Sequence, residues 1–505
     1  MRLRPACILA LVVACTPEAP PQPSPPATAT AKPTPPPVVA ASDPAPLSTT
    51  WLARFAGASS DKVRWVAATG DGSTLAVGIA DDAASVTTTL APPGPSQPTK
   101  PDPGPLEHTF AAKFGPHGEP GLRIGFTEPE QAGAAAPTSD GGVIVVGVIT
   151  GPKDGEMDAF VARYDATSKQ TWRHVIGGPG EQGVYQVAAV PGGEYVIAGF
   201  TDGMATYTGD TVIGGSHGAL MKGKPDGFVA RIAEDGALRW SATVDGTREI
   251  TAQGLGVGAD GSVVITGICG ARTEVRPPMG MSAVLECGKG ESVSVYAAKW
   301  AGNGELRWAR RLPGPTDDMQ APADAAILGD GDVAVVGQFR KALGGDGLPL
   351  LTNRDSMGND GFVIRLAAAD GAPRWIRQLS GDRSTAAWTT TAGADGELWV
   401  SADFAEGMTI GDGAATTATT LRGRGPVLLR FDPAGNGAFV GLIGNKAADD
   451  PYSVYVTHMA FGTDDILRIV GSFGARFTAS PQPGALTLDA LANEDGFVLA
   501  TPAPR

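Results

Sequence analysis

The chain writes one β-hairpin six times with the same grammar and then writes its first half once more before stopping. The clearest copies are GFVARIAEDGALRWSATVDG (227–246), AFVARYDATSKQTWRHVIGG (159–178), VYAAKWAGNGELRWARRLPG (295–314) and GFVIRLAAADGAPRWIRQLSG (361–381). Degenerate copies occupy 109–126 and 426–444, and the half copy is GFVLATPAPR (496–505), which lacks its Trp strand. A strand of the missing type, WLARFAG, stands at 51–57. An array whose last unit is completed by a segment from its beginning reads as a closed ring.

The anchors Phe110, Phe160, Phe228, Tyr296, Phe362, Val427 and Phe497 are 50, 68, 68, 66, 65 and 70 residues apart. No 3.6-residue stripe runs through them, and strands of period two joined by Gly-rich turns argue for propeller blades rather than helical repeats. The expected fold is all-β: a seven-bladed β-propeller of four-stranded blades over 51–505, closed by strand 51–57 pairing with 496–501. In each blade a short strand A of small residues (VYQVAAV 184–190, LGVG 255–258, ADAAIL 323–328) faces the crowded axis. Strand B is β-branched (GGVIVVGV 141–148, GSVVITGI 261–268), and the hairpin supplies strands C and D. Glycine at 70 and proline at 42 of 505 residues, with 18% charged residues, suit many short strands joined by tight turns.

Because the strands alternate in direction, the A–B and C–D turns share one face and the B–C and D–A connections share the other. Nearly all extra length falls between B and C, at 80–108, 201–225, 269–294, 340–359, 405–424 and 474–494. Insertions gathered on one face are where such arrays bind.

The first residues, MRLRPACILALVVAC, combine a basic start, a short apolar run and a small residue before Cys15. The run is too short for a bilayer-spanning helix. Val12-Val13-Ala14-Cys15 resembles the bacterial lipoprotein box, which implies a signal peptide over 1–14 and lipidation at Cys15. The alternative is an ordinary secretory signal cut near Ala29–Ala31. Residues 15–50 hold twelve prolines and almost no large apolar side chain, so they form a disordered tether rather than a core. The absence of Asp after Cys15 points to the outer membrane, on either of its sides, with the lipid as the only membrane contact.

Cys7 leaves with the signal and Cys15 carries the lipid, so Cys269 and Cys287 remain. In an exported chain that pair reads as a disulfide, with two buried free thiols as the alternative. The net charge of −14, with Lys and Arg scattered, excludes a nucleic-acid partner.

Catalytic patterns are matched only superficially. Gly214–Gly218 fits G-x-S-x-G but sits in a Gly-rich loop instead of a strand-to-helix elbow. Gly256–Gly261 fits G-x-G-x-x-G but leads into a strand. The Asp-Gly pairs at Asp71, Asp140, Asp260, Asp330 and Asp395 lack calcium-loop spacing and are assigned to type I′ or related turns. The loop 353–360 is the least implausible metal loop, and the five histidines are dispersed. The expectation is no catalytic residue, no metal and no cofactor. Strand A of the last two blades departs from small residues at Trp388, Tyr452, Tyr455 and His458, which either contact a ligand in the channel or fill an asymmetric one.

The unit FVAR, D-x-x-G, L-x-W, followed by V-x-V-x-G, resembles the seven-bladed β-propeller repeats of SBBP type found in bacterial exported and surface proteins, over about 51–500. Copies one and six depart from it, with Leu122 and Phe439 near the Trp position. YDATSKQTW (164–172) is also similar to the Trp-docking repeat of quinoprotein propellers, whose non-enzymatic relative is an eight-bladed outer-membrane assembly lipoprotein. Seven units argue against that relative. The sialidase Asp-box spacing is not reproduced. Together these imply a monomeric, non-enzymatic envelope lipoprotein that binds a protein or glycan through its long-loop face, with a quinoprotein-like enzyme or an assembly scaffold as the alternatives.

Overall fold

The computed structural model describes residues 49–503 apart from segments in the connections, the longest being 91–108, 214–225, 444–453 and 479–486. The leader, Cys15 and nearly all of the tether lie outside the described residues, as do His108, His217, Tyr452 and residues 354–357 of the 353–360 loop. Among the described residues there is no α-helix, and a single 3₁₀ turn occurs at Ala394–Gly396.

Seven antiparallel sheets form the propeller, each built outward from the axis in the order A, B, C, D. Blade 2 shows the unit without additions: Glu130–Pro137, Val143–Thr150, Met157–Tyr164 and Gln170–Ile176. From blade 1 to blade 7 the A strands are Asp61–Ala68, Glu130–Pro137, Gln182–Val190, Gly254–Val257, Gln320–Ile327, Thr385–Ala392 and Val454–Phe461. Each A strand lies against the next, and the seventh returns to the first. The B strands are apolar on both faces because both are covered by neighbouring blades; Val143, Ile144, Val145 and Val146 are all fully buried.

Blade 7 takes its D strand from Trp51–Ala56, which pairs with Asp495–Pro502 in the register Trp51↔Ala500 to Phe55↔Gly496. Trp51 and Phe55 are buried, and the Phe55 ring stacks on Phe110 of blade 1 at 4.9 Å. The expected closure is therefore observed.

In five blades the Trp of strand D joins the blade to its successor. Trp51, Trp172, Trp240, Trp308 and Trp375 donate through Nε1 to the carbonyls of Pro116, Glu234, Gly302, Ala368 and Pro433, at 2.9–3.1 Å. Each acceptor is the second residue of the next blade's C–D turn. That turn must pass close under the indole: a Cβ on Gly371 (φ 68°) would lie 2.7 Å from the Trp308 ring. Only glycine meets both demands. In blade 1 Leu122 packs at this junction without a donor, whereas in blade 6 Phe439 packs on the core shared with blade 5 and Val440 meets the core of blade 7.

The insertions arise on the B–C face, but three of them leave it. Ser85–Leu90 of blade 1 adds an outer strand to blade 7, Arg272–Arg276 and Ala283–Glu286 of blade 4 extend blade 3, and Met408–Gly411 and Thr419–Leu421 of blade 6 extend blade 5. Each covers the exposed edge of the preceding blade, the usual remedy for unpaired strand groups. Cys269 and Cys287 are disulfide-bonded, fastening the blade 4 insertion to its B strand.

Candidate binding site at the propeller axis

Six of the seven A strands carry a β-bulge at one position. Register breaks flank Arg64, Gly133, Tyr185, Ala323, Trp388 and Thr457 in blades 1, 2, 3, 5, 6 and 7. A bulge leaves one residue unpaired and re-aims its side chain. All six bulged residues line one axial cavity of about 340 Å³. Gly133 and Ala323 leave room on two sides, while Arg64, Tyr185 and Trp388 enter from three others.

The residues that follow the bulges tie adjacent A strands together. Trp65 donates Nε1 to Ala135 O at 3.1 Å, and Gln186 donates Nε2 to Gln253 O at 2.9 Å. Asp324 accepts from Thr389 Oγ1 (2.9 Å), Thr390 N (3.0 Å) and Ala325 N (2.8 Å). His458 Nδ1 faces Val66 O at 3.1 Å, so that nitrogen carries the proton, and its ring stacks on Trp65 at 3.8 Å.

Burial dominates the electrostatics. It pushes the Asp324 carboxyl up to about 6 against three hydrogen bonds that favour the anion, and it lowers His458 to about 4 against its contact with Val66. At neutral pH the aspartate is charged and the imidazole neutral. The Tyr185 hydroxyl is also raised, first by burial and then by Glu181. Arg64 is exposed to the channel and makes no hydrogen bond or ion pair among the described residues.

On the B–C face the axis opens beside a groove of about 760 Å³ between blades 6, 7 and 1, lined by Trp388, Tyr455, Pro426, Asp403, Lys62 and Glu494 among others. Lys62 and Glu494 form an ion pair at 2.8 Å, and Ser472 donates to Glu494 at 2.6 Å. Trp388 lines both groove and cavity. It is 45% exposed and Tyr455 37%, so two aromatic side chains lie open to solvent in one groove.

The structure thus brings together three residues that the sequence singled out, with Trp388 and Tyr455 in the groove and Trp388 and His458 in the cavity. Arg64, Tyr185, Gln131 and Asp324 were not anticipated. The available signal was the alignment of the A strands of blades 1, 3 and 7 on Val63, Val184 and Val456, which sets Arg64, Tyr185 and Thr457 in one column. No group of three or more His, Cys, Asp or Glu side chains suited to a metal occurs among the described residues.

Fold and cavity define a seven-bladed β-propeller with a ligand-sized axial cavity. No family model and no curated protein matches the chain. Similar solved structures include the Dos1 propeller, with 8% identity over 88% of this chain and 94% of that one and a TM-score of 0.43. A polysaccharide lyase described as an ulvan lyase shows 10% identity over 86% and 96%, TM-score 0.40. A Synechocystis apocarotenoid oxygenase variant shows 11% identity over 76% and 92%, TM-score 0.35. Similarity at this level carries no information about chemistry.

Proposed function

We propose that this chain is a lipid-anchored, non-enzymatic binding protein of the bacterial cell envelope, related to the SBBP-type propellers, which takes a protein or glycan ligand on its B–C face. The observation that carries this reading is the groove beside the axis, where Trp388 and Tyr455 stay open to solvent. Concave sites lined by aromatic side chains with a few converging polar groups are the usual form of a binding pocket. The leader sequence and the Pro-rich tether support attachment through Cys15 to the outer membrane, with the propeller held away from the bilayer as a monomer.

Two measurements test it. Growth with an alkyne-tagged palmitate should label the wild-type chain and leave Cys15→Ser unlabelled, and an unlabelled wild type would remove the anchor. Photo-crosslinking from Tyr455 in intact cells should yield a discrete adduct that disappears with Trp388→Ala. Persistence of the same adduct in that variant would move the ligand site elsewhere.

A further inference from the structure

We propose that the axial cavity seats an acidic sugar of a glycan chain, its carboxylate on Arg64 and its ring against Trp388, while the chain continues into the neighbouring groove. This rests on reading the B–C face as the binding face, and it names the ligand class.

Arg64 is the only permanent cation among the described residues lining the cavity. The carboxylate nearest in kind, Asp324, already accepts three hydrogen bonds from Thr389, Thr390 and Ala325 and serves the joint between blades 5 and 6. Two buried arginines of the blades are by contrast committed: Arg365 to Asp330 and Asp332, and Arg468 to Asp464, Thr74 and Gly72. In a chain of net charge −14, a guanidinium left without a partner and aimed into a cavity by a bulge is a carboxylate receptor by geometry, since its planar fork matches a carboxylate.

Trp388 and Tyr185, 45% and 43% exposed, supply flat apolar faces on which the C–H face of a pyranose ring rests. Gln131, exposed in the same wall and without a hydrogen-bond partner among the described residues, supplies an amide for ring hydroxyls. A volume of about 340 Å³ suits one or two sugar rings, and the groove of about 760 Å³ that shares Trp388 takes the rest of a chain. An extended acidic peptide fits less well, because it relies on an unbroken run of backbone donors and acceptors and the bulges interrupt that run in six A strands.

The test is calorimetric titration of the full-length protein in detergent with tetragalacturonate, maltotetraose and tetraglutamate. Tetragalacturonate is expected to bind, with affinity falling as salt rises, and Arg64→Gln to weaken it by about tenfold or more through loss of a charge-assisted contact. Trp388→Ala should abolish binding. Both positions are exposed, so unchanged melting temperatures certify the fold of the variants. Equal affinity of wild type and Arg64→Gln, no binding of tetragalacturonate by the folded wild type, or preference for tetraglutamate would each overturn the proposal. Should maltotetraose bind in a manner lost with Tyr455→Ala while tetragalacturonate does not, the binding face stands and the acidic sugar falls.

Discussion

Asp324 and His458 occupy the same position after the bulge in blades 5 and 7, yet burial moves them in opposite directions, the acid up to about 6 and the imidazole down to about 4. Their pH effects on stability oppose each other. With its folded pKa above the unfolded value, Asp324 adds stability at low pH that is lost as pH rises through about 6. His458, depressed below its unfolded value, adds stability above about 6.5 that is lost as pH falls through about 4. Between these limits the two slopes partly cancel. Asp324→Asn should make unfolding free energy rise more steeply from pH 4 to 6.5 than in wild type, and His458→Gln should make it fall more steeply over the same range. Urea titrations at four pH values check both, and parallel curves for all three proteins would contradict the assignment. At this scale the sequence was partly legible. Trp388 and His458 stood out because they break the small-residue habit of strand A. Arg64 showed only in the column formed by aligning the A strands, and its role as a bulge is a matter of register between two strands: Val63 pairs with Gly78 and Trp65 with Val77, and one strand read alone does not reveal the residue between them.

The hairpin turns show why the element scale was more readable. Of the five Asp-Gly pairs, Asp71, Asp140, Asp260 and Asp330 keep negative φ while their glycines lie at 75–86°, so these are three-residue loops with a left-handed glycine. Each Asp accepts from the amide two residues on, as Asp71 Oδ1 does from Ser73 N at 3.0 Å. Only Asp395 and Gly396, at 54° and 75°, are both left-handed, as type I′ requires. The dipeptide signalled a turn; its exact closure depends on strand pairing. The Trp junctions are likewise written in the repeat, and they yield a graded prediction. Trp308→Phe removes the donor to Ala368 and should cost about 1 kcal/mol, whereas Trp308→Ala also removes a buried ring and should cost about 3–5 kcal/mol in chemical denaturation. Equal losses would mean that the hydrogen bond, not the packing, carries the joint. The Cys269–Cys287 bridge closes an 18-residue span, and its replacement by two alanines should cost about 3 kcal/mol. Because that bridge fastens the insertion lying along blade 3, hydrogen exchange over 272–286 should rise more than in the blade 4 core. The path of this insertion was not legible, since nothing in 269–294 names the strand it will meet.

For the whole molecule, one short segment bears on two edges. Trp51–Ala56 is the inner member of a five-stranded sheet, paired with Asp495–Pro502 on one side and Ser85–Leu90 on the other. Removing it exposes both edges and uncovers the aromatic cluster in which Phe55 meets Phe110 and Phe114. Burial of Trp51, Leu52 and Phe55 is worth about 1.5–3 kcal/mol each, a sum comparable to the net stability of a typical domain. The joint between blades 7 and 1 has further ties that do not involve this strand. Arg468 reaches Gly72 O and Thr74 Oγ1, Thr457 donates to Val63 O, and Asp61 N donates to Glu494 O. A chain beginning at residue 58 should therefore keep most of its blades but lose closure, running as dimers or larger species in size-exclusion chromatography with light scattering as its open edges pair. A synthetic peptide of residues 49–57 added in trans should return it to a monomer with one cooperative thermal transition. If the truncated chain stays monomeric and melts like the full-length protein, the ring is held by its blade-to-blade joints alone, and the strand shared between the two ends of the chain is ornamental.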